Sequence, residues 1–149
     1  MDHFLEYGKT LVELRNQGII FVCIICIIAI ICLALLLKFK MSKMWIIGGI
    51  IVSILVLILA FTVLILPYQT DINEKSIISY SGSFCIEEID YGKYTYYVFI
   101  KCKGQPSVRY QLYYFGEMKT GEYEGEFIYS LNSRCLLDFN ASPILDKKP

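Results

Sequence analysis

Two uninterrupted apolar runs, Gly18 to Leu37 and Met44 to Leu66, flank the six-residue hinge Lys38-Phe39-Lys40-Met41-Ser42-Lys43 and constrain this chain more than any other feature. Neither run contains a charged residue. At 1.5 Å per residue, each is long enough as a helix to cross about 30 Å of hydrocarbon. So short a hinge makes the two helices antiparallel neighbours. The sequence therefore predicts a membrane α-helical hairpin, with transmembrane helices over 18–37 and 44–67, the second stopped by Pro67.

Residues 1–17 place Phe4, Tyr7, Leu11 and Leu14 on one helical stripe and Asp2, Glu6, Lys9 and Glu13 on another. This predicts an amphipathic helix at the membrane surface, joined flexibly to the first span at Gly18; a partner-binding helix is the alternative. The mixed charge of this flank, and a run that ends Leu35-Leu36-Leu37-Lys38, argue against a cleaved signal. Lys38, Lys40 and Lys43 crowd at the hinge over 38–43, while Lys9, Arg15 and Lys75 spread along the other side. The denser cluster predicts a cytoplasmic hinge in the plasma membrane, with both termini and the C-terminal domain outside. Gly48, Gly49 and Ser53 form a small-residue helix-packing face, suited to Cys26 and Ala29 of the first span or to a second copy. With no ionisable group inside either run, nothing suggests a proton relay or ion path.

After a polar linker, residues 68–76, the periodicity switches from helical to two. Ile78, Tyr80, Phe84 and Ile86 alternate with Ser79, Ser81, Ser83 and Cys85, with a bend at Gly82. A turn over 90–93 leads to a second strand, in which Tyr94, Tyr96, Val98, Ile100 and Cys102 share a face. Gly104-Gln105-Pro106-Ser107 is turn chemistry before Val108, Tyr110, Leu112 and Tyr114. Gly116 to Gly121 turns into Tyr123, Gly125, Phe127 and Tyr129, and the tight turn Leu131-Asn132-Ser133 precedes Cys135, Leu137 and Phe139. Five short strands over 77–140, rich in Tyr, Phe and Ile, would leave sticky edges if open. A five-stranded OB-like or SH3-like barrel is expected, followed by a flexible tail at 141–149.

The chemistry-bearing residues are sparse. His3 is the sole histidine, so Ser/His/Asp and Cys/His catalysis and a histidine zinc site in the tail are excluded. Three cysteines in the tail cannot all pair, and strand parity makes Cys102 and Cys135 the best possible disulfide, with free buried thiols as the alternative. Glu122, Glu124 and Glu126 alternate along one strand as a solvated face would. From residue 68 onward nine Lys or Arg stand against eleven Asp or Glu, without a basic stripe, so nucleic acid is not an expected partner. No cofactor, metal or small-molecule substrate is indicated. Tyrosine is the abundant recognition residue: Tyr97, Phe99 and Tyr113 fall on outward faces and form the candidate partner face, with packing or membrane contact as the competing use.

The run Tyr123-Glu124-Gly125-Glu126-Phe127-Ile128-Tyr129-Ser130-Leu131-Asn132-Ser133-Arg134, Gly82, and the turn from Tyr114-Phe115-Gly116 to Gly121 resemble small two-span envelope proteins of Gram-positive bacteria with an OB-like C-terminal domain. The layout, though not the glycine pattern, is similar to that of short NfeD-like proteins. The reading is a non-enzymatic integral membrane protein that presents a small β-domain for protein-protein interaction, in the manner of an accessory subunit or an immunity-type protein. Its partners would be the lipid bilayer and either a protein or a second copy. The alternative is an oligomeric NfeD-like membrane scaffold with the β-domain in the cytoplasm.

Overall fold

The computed structural model of the protein describes residues 3–39, 42–92, 95–113, 116 and 118–144. Met1 and Asp2, Lys40 and Met41 of the hinge, Lys93 and Tyr94 of the first β turn, Tyr114, Phe115 and Glu117, and residues 145–149 lie outside them. The chain forms two compact units, one of residues 8–74 and one that joins residues 1–7 to residues 75–149.

In the first unit, α1 (His3–Lys38) and α2 (Lys43–Leu64) are the two apolar helices, followed by α3 (Leu66–Glu74). Both long helices have the length and hydropathy to cross a membrane. Three sequence expectations are corrected. First, the surface helix and first span are one continuous 36-residue helix, with Gly18 inside it. An interior glycine costs only about 1 kcal/mol relative to alanine, which neighbouring turns absorb. Here the missing side chain has a use, because a Cβ at Gly18 would collide with the Leu64 carbonyl oxygen. Second, Leu11 is fully buried, where a residue on an open surface helix would be exposed on one side. Third, Pro67 does not end the helical path and residues 68–76 are not a linker. The chain kinks at Ile65, whose N–H still donates to Phe61, and α3 restarts with Pro67 in its first turn, where no N–H is needed.

The partly shielded positions of the hairpin recur at intervals of three and four: Gly18, Val22, Ile25, Ala29, Leu33 and Leu36 on α1, with Ile46, Gly49, Ser53, Leu57, Ala60 and Leu64 on α2. Apart from Lys43, Gly48 and Thr62, the remaining α2 residues are exposed apolar side chains, and none of α2 is buried. Arg15 continues the contact beyond Leu64 by donating to the Gln69 side-chain oxygen at 3.0 Å.

The second unit contains β1 (Ile77–Tyr91), β2 (Tyr96–Cys102), β3 (Val108–Leu112), β4 (Gly121–Ser130) and β5 (Cys135–Pro143). Pairing follows the order β1-β2-β3-β5-β4, with β4 returning to β1, so the five-stranded sheet closes on itself. All pairs are antiparallel except β3 with β5. The long β1 makes closure possible: Ile77 to Ile86 pair with β4, and Phe84 to Tyr91 pair with β2.

The interior is aromatic. Phe84 lies 4.9 Å from Phe127 and 5.8 Å from Phe139, centroid to centroid, and Val98, Ile100, Tyr110, Tyr123 and Leu136 complete the buried cluster. Two bulges reset the alternation. Between Ile86 and Glu88 one extra residue leaves both Glu87 and Glu88 outside and returns Ile89 to the interior. Between Ile128 and Tyr129 the register also slips, so Leu136, not Cys135 or Leu137, belongs to the interior cluster with Phe139. The assumed parity of the fifth strand is thereby corrected. The expected tail is corrected too, since Ala141 and Pro143 pair with Gly125 and Tyr123.

Cys135, Leu137 and Ile128 are buried although they lie outside the interior cluster. The start of α1 belongs to this unit, where the Tyr7 hydroxyl donates to an Asp138 carboxylate oxygen at 2.7 Å. Lys75 also stands over the Phe4 ring, 5.8 Å from its centroid.

Candidate functional site

Directly paired residues of neighbouring strands point to the same side of a sheet. On β2, Val98 and Ile100 fill the interior, so Tyr97 and Phe99 face outward, each half-buried. Their partners complete two rows across three strands. One row is Glu88, Phe99 and Arg109; the other is Asp90, Tyr97 and Gln111. The outer face therefore has an acidic column on β1, an aromatic column on β2 and a cationic or amide column on β3. The Arg109 guanidinium sits over the aromatics, its carbon 3.7 Å from the Tyr97 centroid and 5.9 Å from that of Phe99. Such stacking holds a guanidinium in place while its edge N–H groups remain available to an acceptor.

The aromatic pair was legible from alternation alone; that Arg109, Gln111, Glu88 and Asp90 share its face was not. The signal for the first two was present, because they alternate with Val108, Tyr110 and Leu112 after a recognisable turn. The acidic column was hidden by the bulge at Glu87. Tyr113 stands just beyond β3, outside the two rows, and its N–H donates to the Leu136 carbonyl at 3.0 Å. Next along β2, Lys101 pairs with Glu87 at 3.3 Å. The Ser107 and Lys101 side chains hold the Glu87 carboxyl below its usual range by hydrogen bonding to its charged form.

The other expected residues are placed elsewhere. No disulfide joins Cys102, inside the aromatic cluster, to Cys135, outside it, so the bridge inferred from shared parity is not formed. Burial pushes the Cys102 thiol up and the Tyr110 hydroxyl well above its ordinary value, keeping both protonated and inert. Gly49 and Ser53 lie on the intramolecular helix seam: a Cβ at Gly49 would come 3.1 Å from Leu36, and the Ser53 hydroxyl donates to the Gly49 carbonyl at 2.8 Å. Gly48 faces open space. A groove of about 680 Å³ runs beside this seam, lined by Ala29, Leu33, Leu36, Trp45 and Gly48, and a cleft of about 450 Å³ near Cys85 is lined by Ser83, Lys101, Lys103 and Glu122. Among the described residues no three His, Cys, Asp or Glu side chains converge to hold a metal ion.

No family model, curated protein or solved structure matches this chain.

Proposed function

We propose that this chain is a non-enzymatic, two-span membrane protein whose β unit works by protein contact through the outer face of β2 and β3. The observation that carries the reading is the stacked platform of Tyr97, Phe99 and Arg109. It presents two half-buried, rigid rings and an exposed guanidinium stacked on them, the residue types that dominate binding energy at protein interfaces.

The membrane reading is supported by the exposed apolar surface of α2 and by a topological condition. Tyr7 before the first apolar run touches Asp138 after the second, so the chain must recross any barrier that it enters. Two spans satisfy that condition and one does not. The ring order, with β3 and β5 parallel, favours an OB-like barrel over an SH3-like one; the helical cover for its outer side comes from the start of α1, in place of a helix between β3 and β4. An accessory-subunit or immunity-type role falls within this reading. The dense lysines of the hinge favour a β unit outside the cytoplasm.

The test is photocrosslinking in intact membranes from an aromatic ketone at position 99. A discrete adduct that is lost in Arg109→Glu supports the contact face. No adduct from position 99, with adducts from Glu124 on another face, overturns it. Labelling of an accessible residue near Asn140 by an impermeant reagent in intact cells tests the sidedness.

A further inference from the structure

The three columns of this face are ordered so that it complements itself. Reading across the strands, each row runs acid, aromatic, donor: Glu88, Phe99, Arg109 and then Asp90, Tyr97, Gln111. A two-fold axis laid along β2, in the plane between two such faces, keeps each row at its own level and exchanges left for right. Glu88 of one copy then faces Arg109 of the other, and Asp90 faces Gln111. Phe99 meets Phe99 on the axis, and the two Tyr97 rings, each with its Arg109 guanidinium stacked on it, lie beside them. A two-fold axis laid across the strands would instead set acid against acid.

We infer that the partner of this face is a second copy of the same chain, held in an isologous pair by two equivalent Glu88–Arg109 contacts around an aromatic centre. The inference rests on the contact-face reading above and names its occupant. The charge order selects a self-partner, because a partner carrying only acid would be repelled by Glu88 and Asp90 and one carrying only base by Arg109. Lys101, the next residue on the axial column, would meet its own copy, but Glu87 at 3.3 Å neutralises it. The two-row patch is small compared with the roughly 800 Å² per partner of a standard interface. Pairing is therefore weak in free solution and relies on confinement of both copies to one bilayer, which raises their effective concentration.

The full chain in lipid vesicles, with donor or acceptor dyes on C-terminal tags, gives energy transfer as the measure of pairing. Wild type pairs. Arg109→Glu alone sets Glu88 against the introduced carboxylate twice, and Glu88→Arg alone sets arginine against arginine twice. Each lowers association about tenfold, two surface contacts turning from attraction to repulsion. The deciding arm mixes the two single variants. In the mixed pair one contact joins two native-sign partners across the axis and the other joins the two introduced ones, so both are again opposite in sign: transfer between the variants returns to the wild-type level, while each variant alone stays low. A mixture that pairs no better than its components overturns the inference, as does wild-type pairing that neither variant weakens. A wild type that does not self-associate, yet crosslinks from position 99 to a different protein in an Arg109-dependent way, overturns the self-partner and leaves the contact face standing. Absence of both overturns the two readings together.

Discussion

Replacing Gly125 by alanine should loosen the closed sheet more than any other single methyl addition on β4. Gly125 pairs with Gly82 on one side and Ala141 on the other, at the point where β4 is shared between β1 and β5. Its φ is +154°, and a Cβ there would fall 2.5 Å from both the Ala141 Cα and the Asn140 carbonyl oxygen. Two costs combine: about 1–3 kcal/mol for holding an L side chain in that backbone region, and about 1–3 kcal/mol for overpacking against backbone that cannot rotate away. Loss of glycine's unfolded-state freedom offsets about 0.4–1 kcal/mol, leaving a net destabilisation of about 1–6 kcal/mol. Cys102, 8% exposed inside the closed sheet, reacts with a thiol reagent only when the sheet opens. At about 1.4 kcal/mol per tenfold, Gly125→Ala should speed its modification at least about fivefold, read by peptide mass analysis that separates Cys102 from the other thiols. Gly121→Ala is the control: φ is +143° but nothing lies within 4 Å, so strain acts alone and the acceleration should be at least about fivefold smaller than in Gly125→Ala. Equal acceleration in the two variants would refute the steric argument.

Gly18→Leu should destabilise the hairpin by about 1–3 kcal/mol in a helix-unfolding titration in detergent, through contact with the Leu64 carbonyl, whereas Gly48→Leu should be silent. Ser130→Ala should cost about 1–3 kcal/mol and speed labelling of Cys135, because the buried hydroxyl accepts from the Cys135 N–H at 3.0 Å and closes the β4–β5 turn with Ser133. Burial, and then the Asp138 hydrogen bond, raise the Tyr7 hydroxyl above its ordinary value of 10.0, and burial raises Tyr110 likewise. The unfolded chain thus ionises first: their contribution is complete below pH 10 and lost as the pH climbs above it, and Tyr7→Phe should blunt that alkaline loss in a pH-dependent unfolding series. Nonreducing mass analysis of the whole protein should yield no Cys102–Cys135 peptide.

The helical hairpin was legible because a charge-free run of that length has few other solutions, and the strands were legible wherever alternation was unbroken. What alternation cannot carry is an inserted residue. Each bulge shifts the parity of everything beyond it, and neither Glu87-Glu88 nor Leu136-Leu137 marks itself as a bulge by composition. The disulfide expectation failed for that reason, and the acidic column of the outer face stayed hidden for the same one. Gly18 and Pro67 misled in a different way: each is a breaker by local propensity, but the first serves a close helix approach and the second falls in a first turn, where its missing donor costs nothing. Of the contact face, Tyr97 and Phe99 could be named from sequence, whereas Arg109 needed the β2–β3 register.

The Tyr7–Asp138 hydrogen bond spans 131 positions and ties the chain's start to its last strand. A fragment beginning at the first β-strand would lack Tyr7 and leave Asp138 without that partner. It would also separate the β sheet from residues that fold into the same compact unit. Loop closure over so long a separation is entropically late, so the sheet is expected to gain this contact only after β5 has joined β4. The first residues of the chain and the β sheet are thus coupled at the level of folding, and the contact face is best studied in the whole, membrane-held chain, where confinement also supplies the concentration that a small interface needs.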